Sequence, residues 1–356
     1  MGKRGAWIVA LCLCLPLALV GCVQGRGAPY TQSPLHIPGL QRLPALATLV
    51  DDNVMGDGSM AVFRAGNTAP QVLFEHNYQL EVAGLDGSGE RSLDSRIKCD
   101  GTPTITADGQ WGACVGPLGS AQANTLEVVS LAAGSTQHHE FKLPGGGIDL
   151  IWAPDGSRLA LLAAGGVIQV YTVGAGFSAF ELDASFTPDV FLCDGLCRVL
   201  GLGWSPDGAY LKVAAATSQS EMASGVPAAL LVDDHVAIPS SRQATSLSAT
   251  IPAAQFVSTP ITHPIHSAAW NPQTGTLALI SFDIDGSSGD TLSYDPAKAR
   301  QIGTWFTIPD STHFLGRITW TPDGRQLLVL VLGPSCLDNC NGYALPDLYL
   351  YTPDTA

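Results

Sequence analysis

The pentapeptide Trp204-Ser205-Pro206-Asp207-Gly208 recurs along the chain, and that recurrence limits the possible folds more than any other feature. Trp152-Ala153-Pro154-Asp155-Gly156 and Trp320-Thr321-Pro322-Asp323-Gly324 are close copies. Trp270-Asn271-Pro272-Gln273-Thr274-Gly275 is a copy lengthened by one residue. Thr106-Ala107-Asp108-Gly109 and Met55-Gly56-Asp57-Gly58 are copies that have lost Trp and Pro. The turn glycines at 58, 109, 156, 208, 275 and 324 are spaced by 51, 47, 52, 67 and 49 residues. That period is the length of a four-stranded propeller blade, with one unit enlarged.

The residue types explain why the motif repeats. Pro presets φ for the first corner of a turn, Asp bonds back to its own backbone, and Gly takes the positive φ that closes it. Trp ends the strand before the turn, where its ring can wedge against the neighbouring blade. The third unit shows a whole blade: strands at Ile148–Trp152, Arg158–Ala163, Val167–Val173 and Phe177–Leu182, separated by turn residues. Helical periodicity is absent after residue 23. The pattern predicts an all-β fold, a six-bladed propeller of four-stranded antiparallel blades. A two-sheet sandwich is the alternative, but it gives no reason for Trp at one offset in four units. The sixth unit offers only Gln326–Leu332 and Leu348–Thr352 after Trp320, so one strand is missing. Leu46–Val50 is expected to supply it as the outer strand of the last blade and close the ring.

Residues 1–22 carry a different signal. Lys3 and Arg4 precede an apolar stretch, Ala6–Val20, too short to span a bilayer, which ends in Leu19-Val20-Gly21-Cys22. This resembles a bacterial lipoprotein signal, and the resemblance implies cleavage before Cys22, acylation of Cys22 and lipid anchorage outside the cytoplasm. An ordinary secretory signal is the alternative reading. Residues 23–45, rich in Gly and Pro, read as a flexible tether, leaving residues 46–356 as the propeller domain. Without Lys3 and Arg4 the chain has 15 basic and 31 acidic residues, a net of −16 with His neutral. That charge excludes nucleic acid and a polybasic hold on anionic lipid. It fits solubility, and also a cationic partner or bound cation.

Of nine Cys, six remain once Cys12, Cys14 and Cys22 are set aside. In the blade scheme Cys99 precedes the first strand of the second unit and Cys114 ends its second strand, so the two meet across an antiparallel pair. Cys193 with Cys197, and Cys336 with Cys340, pair most simply within their own loops. A zinc site would need two such pairs to converge, and these lie on distant units.

In such a blade the first-to-second and third-to-fourth turns share one face. The second-to-third loops and blade crossings share the other. The Pro-Asp-Gly turns make the first face short and plain. The long segments Gly116–Asn124, Asp183–Val199, Thr217–Pro227, Asp234–His266 and Gly333–Pro346 are assigned to the second face with all six cysteines, which makes it the expected binding surface. Asp149, His263 and His266 fall on or beside innermost strands, where they line the channel or hold a divalent cation. His138, His139 and His313 read as surface or strand-edge residues. No Gly-x-Ser-x-Gly elbow, His-Glu-x-x-His or phosphate loop is present.

The Trp-Ser-Pro-Asp-Gly units resemble the TolB-like propeller family over residues 46–356. The resemblance implies a six-bladed ring that docks protein partners. TolB itself adds an α/β domain before the ring, for which residues 23–45 leave no room. The expected function is therefore a lipid-anchored, non-catalytic propeller binding a protein or envelope component, with no cofactor. The alternative is a metal-dependent small-molecule or carbohydrate-processing enzyme using channel residues, as lactonase-type propellers do.

Overall fold

The structure is a computed structural model of the chain. It describes residues 39–47, 60–65, 68–76, 79–116, 124–144, 147–163, 166–187, 197–217, 229–238, 257–260, 264–282, 289–294, 302–308, 314–332 and 347–353.

The chain enters through β1 (Leu40–Arg42) and a single helical turn α1 (Pro44–Ala47). Blade 1 follows as β2 (Met60–Phe63), β3 (Gln71–His76), β4 (Gln79–Gly84) and β5 (Arg91–Ser92). Blade 2 is β6 (Asp100–Ile105), β7 (Trp111–Val115), β8 (Thr125–Ser130) and β9 (His138–Lys142). Blade 3 is β10 (Gly147–Trp152), β11 (Arg158–Ala163), β12 (Ile168–Val173) and β13 (Phe180–Phe186). Blade 4 is β14 (Cys197–Trp204), β15 (Tyr210–Thr217), β16 (Ala229–Ala237) and β17 (Val257–Pro260). Blade 5 is β18 (Ile265–Trp270), β19 (Leu277–Phe282), β20 (Gly289–Tyr294) and β21 (Ile302–Ile308). Blade 6 is β22 (Phe314–Trp320), β23 (Leu327–Leu332) and β24 (Asp347–Tyr351), completed by β1. The protein is thus an all-β, six-bladed propeller of four-stranded antiparallel blades.

The first strand of each blade is innermost, and these strands touch one another around the ring, β22 meeting β2. The core lies between blades rather than at the centre. Leu150, Trp152, Leu159 and Leu161 of blade 3 pack on Val115, Leu126 and Val128 of blade 2. Alternate residues of the same strands, Ala153, Ala160 and Leu162, pack on Leu202, Trp204 and Leu211 of blade 4. The period-2 alternation of a strand therefore feeds two separate cores.

The ring closes through its N-terminal segment, but not through the expected residues. β1 pairs antiparallel with β24, placing Leu40 opposite Tyr351 and Arg42 opposite Tyr349, and Leu43 N–H donates to Leu348 O at 2.7 Å. Leu46 is in α1 instead, fully buried between blades 6 and 1 among Val62, Val72 and Leu328. Pro44 explains the difference, because its fixed φ suits the first position of a helix and it lacks the N–H a central strand requires. Arg42 anchors the closure with a bidentate pair of bonds to Oδ1 of buried Asp347, at 2.9 and 2.7 Å.

Two further expectations need correction. Met55–Gly58 precedes β2, so it is not a first-to-second turn, and Gly58 lies outside the described residues. The turn of blade 1 lies between Phe63 and Gln71 and is closed by Thr68 N–H to Ala65 O at 3.2 Å. In blade 3, Gly174–Ala179 forms the turn, so the fourth strand runs from Phe180 to Phe186 rather than from Phe177 to Leu182.

Candidate functional site

The repeated turns are built as their chemistry demands. Gly156 and Gly208 each take φ of 70°, and their N–H groups close the turns on Ala153 O and Ser205 O. Asp155 Oδ1 accepts from Ser157 N–H, Asp207 Oδ1 from Ala209 N–H and Asp108 Oδ1 from Gln110 N–H, each at 3.0 Å. Asp323 Oδ1 accepts from Arg325 N–H at 3.2 Å in the turn closed by Gly324. The Ser157 hydroxyl and then its N–H hold the Asp155 carboxyl below the usual range; for Asp207 the Ser205 hydroxyl acts first. In the lengthened unit, Asn271 stands in for the missing Asp from two positions earlier. Its Oδ1 accepts from Gln273 and Thr274, and Gly275 N–H closes a wider turn on Asn271 O at 3.2 Å.

The Trp residues wedge between blades as expected. Trp204 Nε1 donates to Ile151 O of the preceding blade at 3.1 Å, and Trp320 Nε1 donates to Ala269 O at 3.0 Å. Trp152 and Trp270 are equally buried, yet their Nε1 atoms have no hydrogen-bond partner among the described residues.

The innermost strands share an irregularity that sequence reading missed. The β10–β11, β14–β15, β18–β19 and β22–β23 ladders each skip one residue: Ile148, Leu200, His266 and Gly316. Each lies four residues before the repeat Trp. A bulge at this point re-aims the residues that follow it. The next positions are Asp149, Gly201, Ser267 and Arg317.

Arg317 carries the main surprise. Its guanidinium donates to the Thr102 hydroxyl on β6, so the side chain crosses the channel from blade 6 to blade 2. Asp149 sits on β10, in the blade opposite Arg317. Its surface is partly open to the channel, but protein encloses it enough that burial pushes its pKa up. Arg317 opposes that rise, as do the N–H groups of Leu150 and Leu202, the former at 2.9 Å from Oδ1. The channel thus carries an acidic and a basic side chain of the protein's own, on facing blades. His266, at the bulge of β18, also lines this zone and is half-buried; His263 lies outside the described residues. Among the described residues no three His, Cys, Asp or Glu converge as a metal site.

Cys99 and Cys114 form the expected disulfide, Cα atoms 5.6 Å apart, both fully buried in the core between blades 1 and 2. Cys22, Cys193, Cys336 and Cys340 lie outside the described residues, as does the side chain of Cys197. Among the described residues no helix is long and apolar enough to cross a membrane. His138 Nε2 meets buried Glu127 Oε2 at 2.5 Å, and burial raises the Glu127 pKa against that bond. His139 joins an aromatic cluster with Trp111 and Phe177, and both histidines lie on β9, the outer edge strand of blade 2, as expected.

The two faces divide differently from expectation at one place. β16 runs to Ala237, which pairs with Tyr210 beside the Pro-Asp-Gly turn of blade 4. The connection from 238 to 256, the longest in the ring, therefore leaves from the turn face. The segment from Asp234 does not begin there as a loop on the other face, because Asp234 and His235 belong to β16. The connections at 116–124, 187–196, 218–228 and 333–346 do leave from the face opposite the turns, as does the disulfide, since Asp100 pairs with Val115 at the far end of that ladder.

The turn face also bears two clefts. One, of about 410 Å³, lies between blades 2 and 3, walled by Trp111, Phe177, Asp108 and Asp155. The other, of about 250 Å³, lies between blades 6 and 1, lined by Arg64, Pro70, Asp323 and Gln326.

No protein-family profile matches the sequence, and neither does any curated protein. Solved structures similar to it include the β-propeller domain of Myceliophteria thermophila Cps50 (Swd1), at 12% identity, TM-score 0.49, covering 85% of this chain and 84% of that one. Kuenenia stuttgartiensis hydrazine synthase is similar at 12% identity and TM-score 0.49, covering 78% and 93%.

Proposed function

We propose that this chain is a lipoprotein held outside the cytoplasm by acyl chains on Cys22, and that its TolB-like propeller binds a protein or envelope component without catalysing a reaction. One observation carries the reading. Asp149, the channel carboxylate best placed to bind a cation, lies on the blade facing Arg317 and feels that residue's positive charge, which disfavours a bound metal there. What remains is a rigid ring with inter-blade cores and variable connections on its surface, an arrangement suited to presenting loops. The face opposite the turns, with four long connections and the Cys99–Cys114 disulfide at its edge, is the proposed docking face.

Shortening the β15–β16 connection within 218–228 removes no ladder bond and should leave the melting temperature unchanged. It should abolish crosslinked capture of the partner from envelope extracts. Undiminished capture would overturn the assignment of this face. For the anchor, Cys22→Ser should release the domain or leave an unprocessed precursor, and unchanged processing with membrane retention would overturn it.

A further inference from the structure

On the turn face, polar side chains reach across several of the inter-blade notches, and the notch between blades 2 and 3 departs from that construction. Between blades 3 and 4 the notch is filled by Arg158. Its guanidinium lies 4.9 Å over the Trp204 ring and donates to Gly208 O of the next turn. Between blades 4 and 5, Lys212 does the same work: Nζ lies 5.5 Å over Trp270, and a Cβ on Gly275 would fall 2.6 Å from it. Between blades 5 and 6, Asn271 Nδ2 donates to Gly324 O at 2.7 Å and Gln273 Nε2 to Pro322 O at 3.2 Å. Between blades 6 and 1, Arg64 lines the cleft close enough to act on Asp323.

The notch between blades 2 and 3 has no cation or amide among its lining residues. Trp111 stands at the position Arg158 occupies in the next blade: the Trp111 and Arg158 carbonyls accept from the equivalent turn residues, Thr106 and Ala153. Asp108 and Asp155 flank the opening, and in the filled notch Asp155 feels the charge of Arg158. Asp108 Oδ1 is taken by the Thr106 hydroxyl at 2.6 Å and by Gln110 N–H, and among the described residues no donor is bonded to Oδ2. The far wall is Phe177, whose ring meets Trp111 at 4.6 Å edge-on. Its φ of 60° is the one positive value among the described non-glycine residues. An aromatic residue held in that costly conformation, against an open cleft, is a feature of sites rather than of packing alone.

We infer that this notch is a receptor for the guanidinium of an arginine side chain presented by a partner protein. The molecule's own neighbouring notch is the template. There an Arg lies on a Trp face, near the Asp155 carboxylate, and donates to a turn carbonyl. The open notch offers aromatic rings in Trp111 and Phe177, carboxylates in Asp108 and Asp155, and the turn residue Gly156; Trp111 stands where the Arg would, so the notch has no cation of its own. A planar guanidinium stacks on an aromatic face and donates at its edges, which an ammonium cannot do as well. The chain's strong negative charge favours such a ligand. This inference is independent of the docking face proposed above, since it concerns the opposite side of the ring.

The test is titration of the soluble domain with N-acetyl-arginine N-methylamide, following the Trp111 indole N–H by NMR. A saturable shift is expected. The neutral citrulline analogue should bind roughly tenfold more weakly or not at all. Asp108→Asn keeps the Oδ1 acceptor that holds the turn but removes the charge, so it should weaken binding with melting unchanged. Absence of a saturable shift, an equal response to citrulline, or undiminished binding by a folded Asp108→Asn variant would each overturn the proposal.

Discussion

Two adjacent notches, between blades 2 and 3 and between blades 3 and 4, are made from the same repeat and finished in opposite ways. The second is self-satisfied: Arg158 stacks on Trp204, and Trp204 Nε1 bonds Ile151 O. The first replaces the Arg with Trp111, leaves Trp152 Nε1 without a hydrogen-bond partner among the described residues, and sets Phe177 edge-on against Trp152 with ring centroids 5.8 Å apart. One notch spends its residues on joining blades, while the other leaves a cleft between them. A repeat protein can vary this way because each inter-blade contact is local, so one notch can lose its filler without disturbing the rest.

The largest expected difference comes from charge. Arg158→Glu removes the bond to Gly208 O and sets a carboxylate beside Asp155, so chemical denaturation should show a loss of about 2 kcal/mol. A change within a few tenths would show that the filled notch is held by apolar packing alone. Next comes the indole bond. Trp204→Phe should cost about 1 kcal/mol more than Trp152→Phe, because only Trp204 loses a hydrogen bond. Equal costs would erase the contrast. A smaller difference is expected at Phe177. Both Phe177→Ala and Phe177→Gly lose the ring, but only Gly relieves the positive φ, so the Gly variant should be more stable than the Ala variant by about 0.5–1 kcal/mol. The reverse order would mean that the backbone is not strained there.

The smallest effect lies in the channel and serves as a control outside both notches. Burial holds the folded Asp149 pKa above its ordinary 3.8, so the folded state binds its proton more tightly than the unfolded state. Its contribution to stability is therefore full below that value and declines as pH rises toward the folded pKa. Asp149→Asn should remove this decline from a plot of unfolding free energy against pH while leaving both notches unchanged. An unaltered profile would show that Asp149 carries no such shift.

Much of this was legible in the sequence where chemistry and backbone demand coincide. Trp, Asp and Gly at fixed offsets specify a strand end, a side-chain-to-backbone bond and a positive φ, and the turns at 156, 208 and 324 appear where those residues stand. Cys99 and Cys114 were legible because antiparallel pairing brings strand ends together. Legibility failed where apolar character alone was the guide. Leu46 was read as strand because it is apolar, but Pro44 directed it into a helical turn, and three residues of β1 are too few to show alternation. β16 was cut short at Asp234 because charged residues imitate a loop. The bulge was invisible because four different residue types occupy it. Arg317 could have been found by comparing the positions three before each Trp. Asp149 and Arg317, opposite in charge, stand there on opposite blades. The cleft could not be read, because it depends on Phe177 reaching across from a turn that was taken for strand.

The most direct measurement gives blade 2 the side chain that blade 3 already has. In Trp111→Arg the new guanidinium should fill the open notch and donate to Gly156 O, as Arg158 donates to Gly208 O. Calorimetric titration of this variant with N-acetyl-arginine N-methylamide should show no binding, with a melting temperature at or above that of the wild type. A folded Trp111→Arg variant that still binds the ligand with wild-type affinity would contradict the claim that the two notches differ by one missing cation.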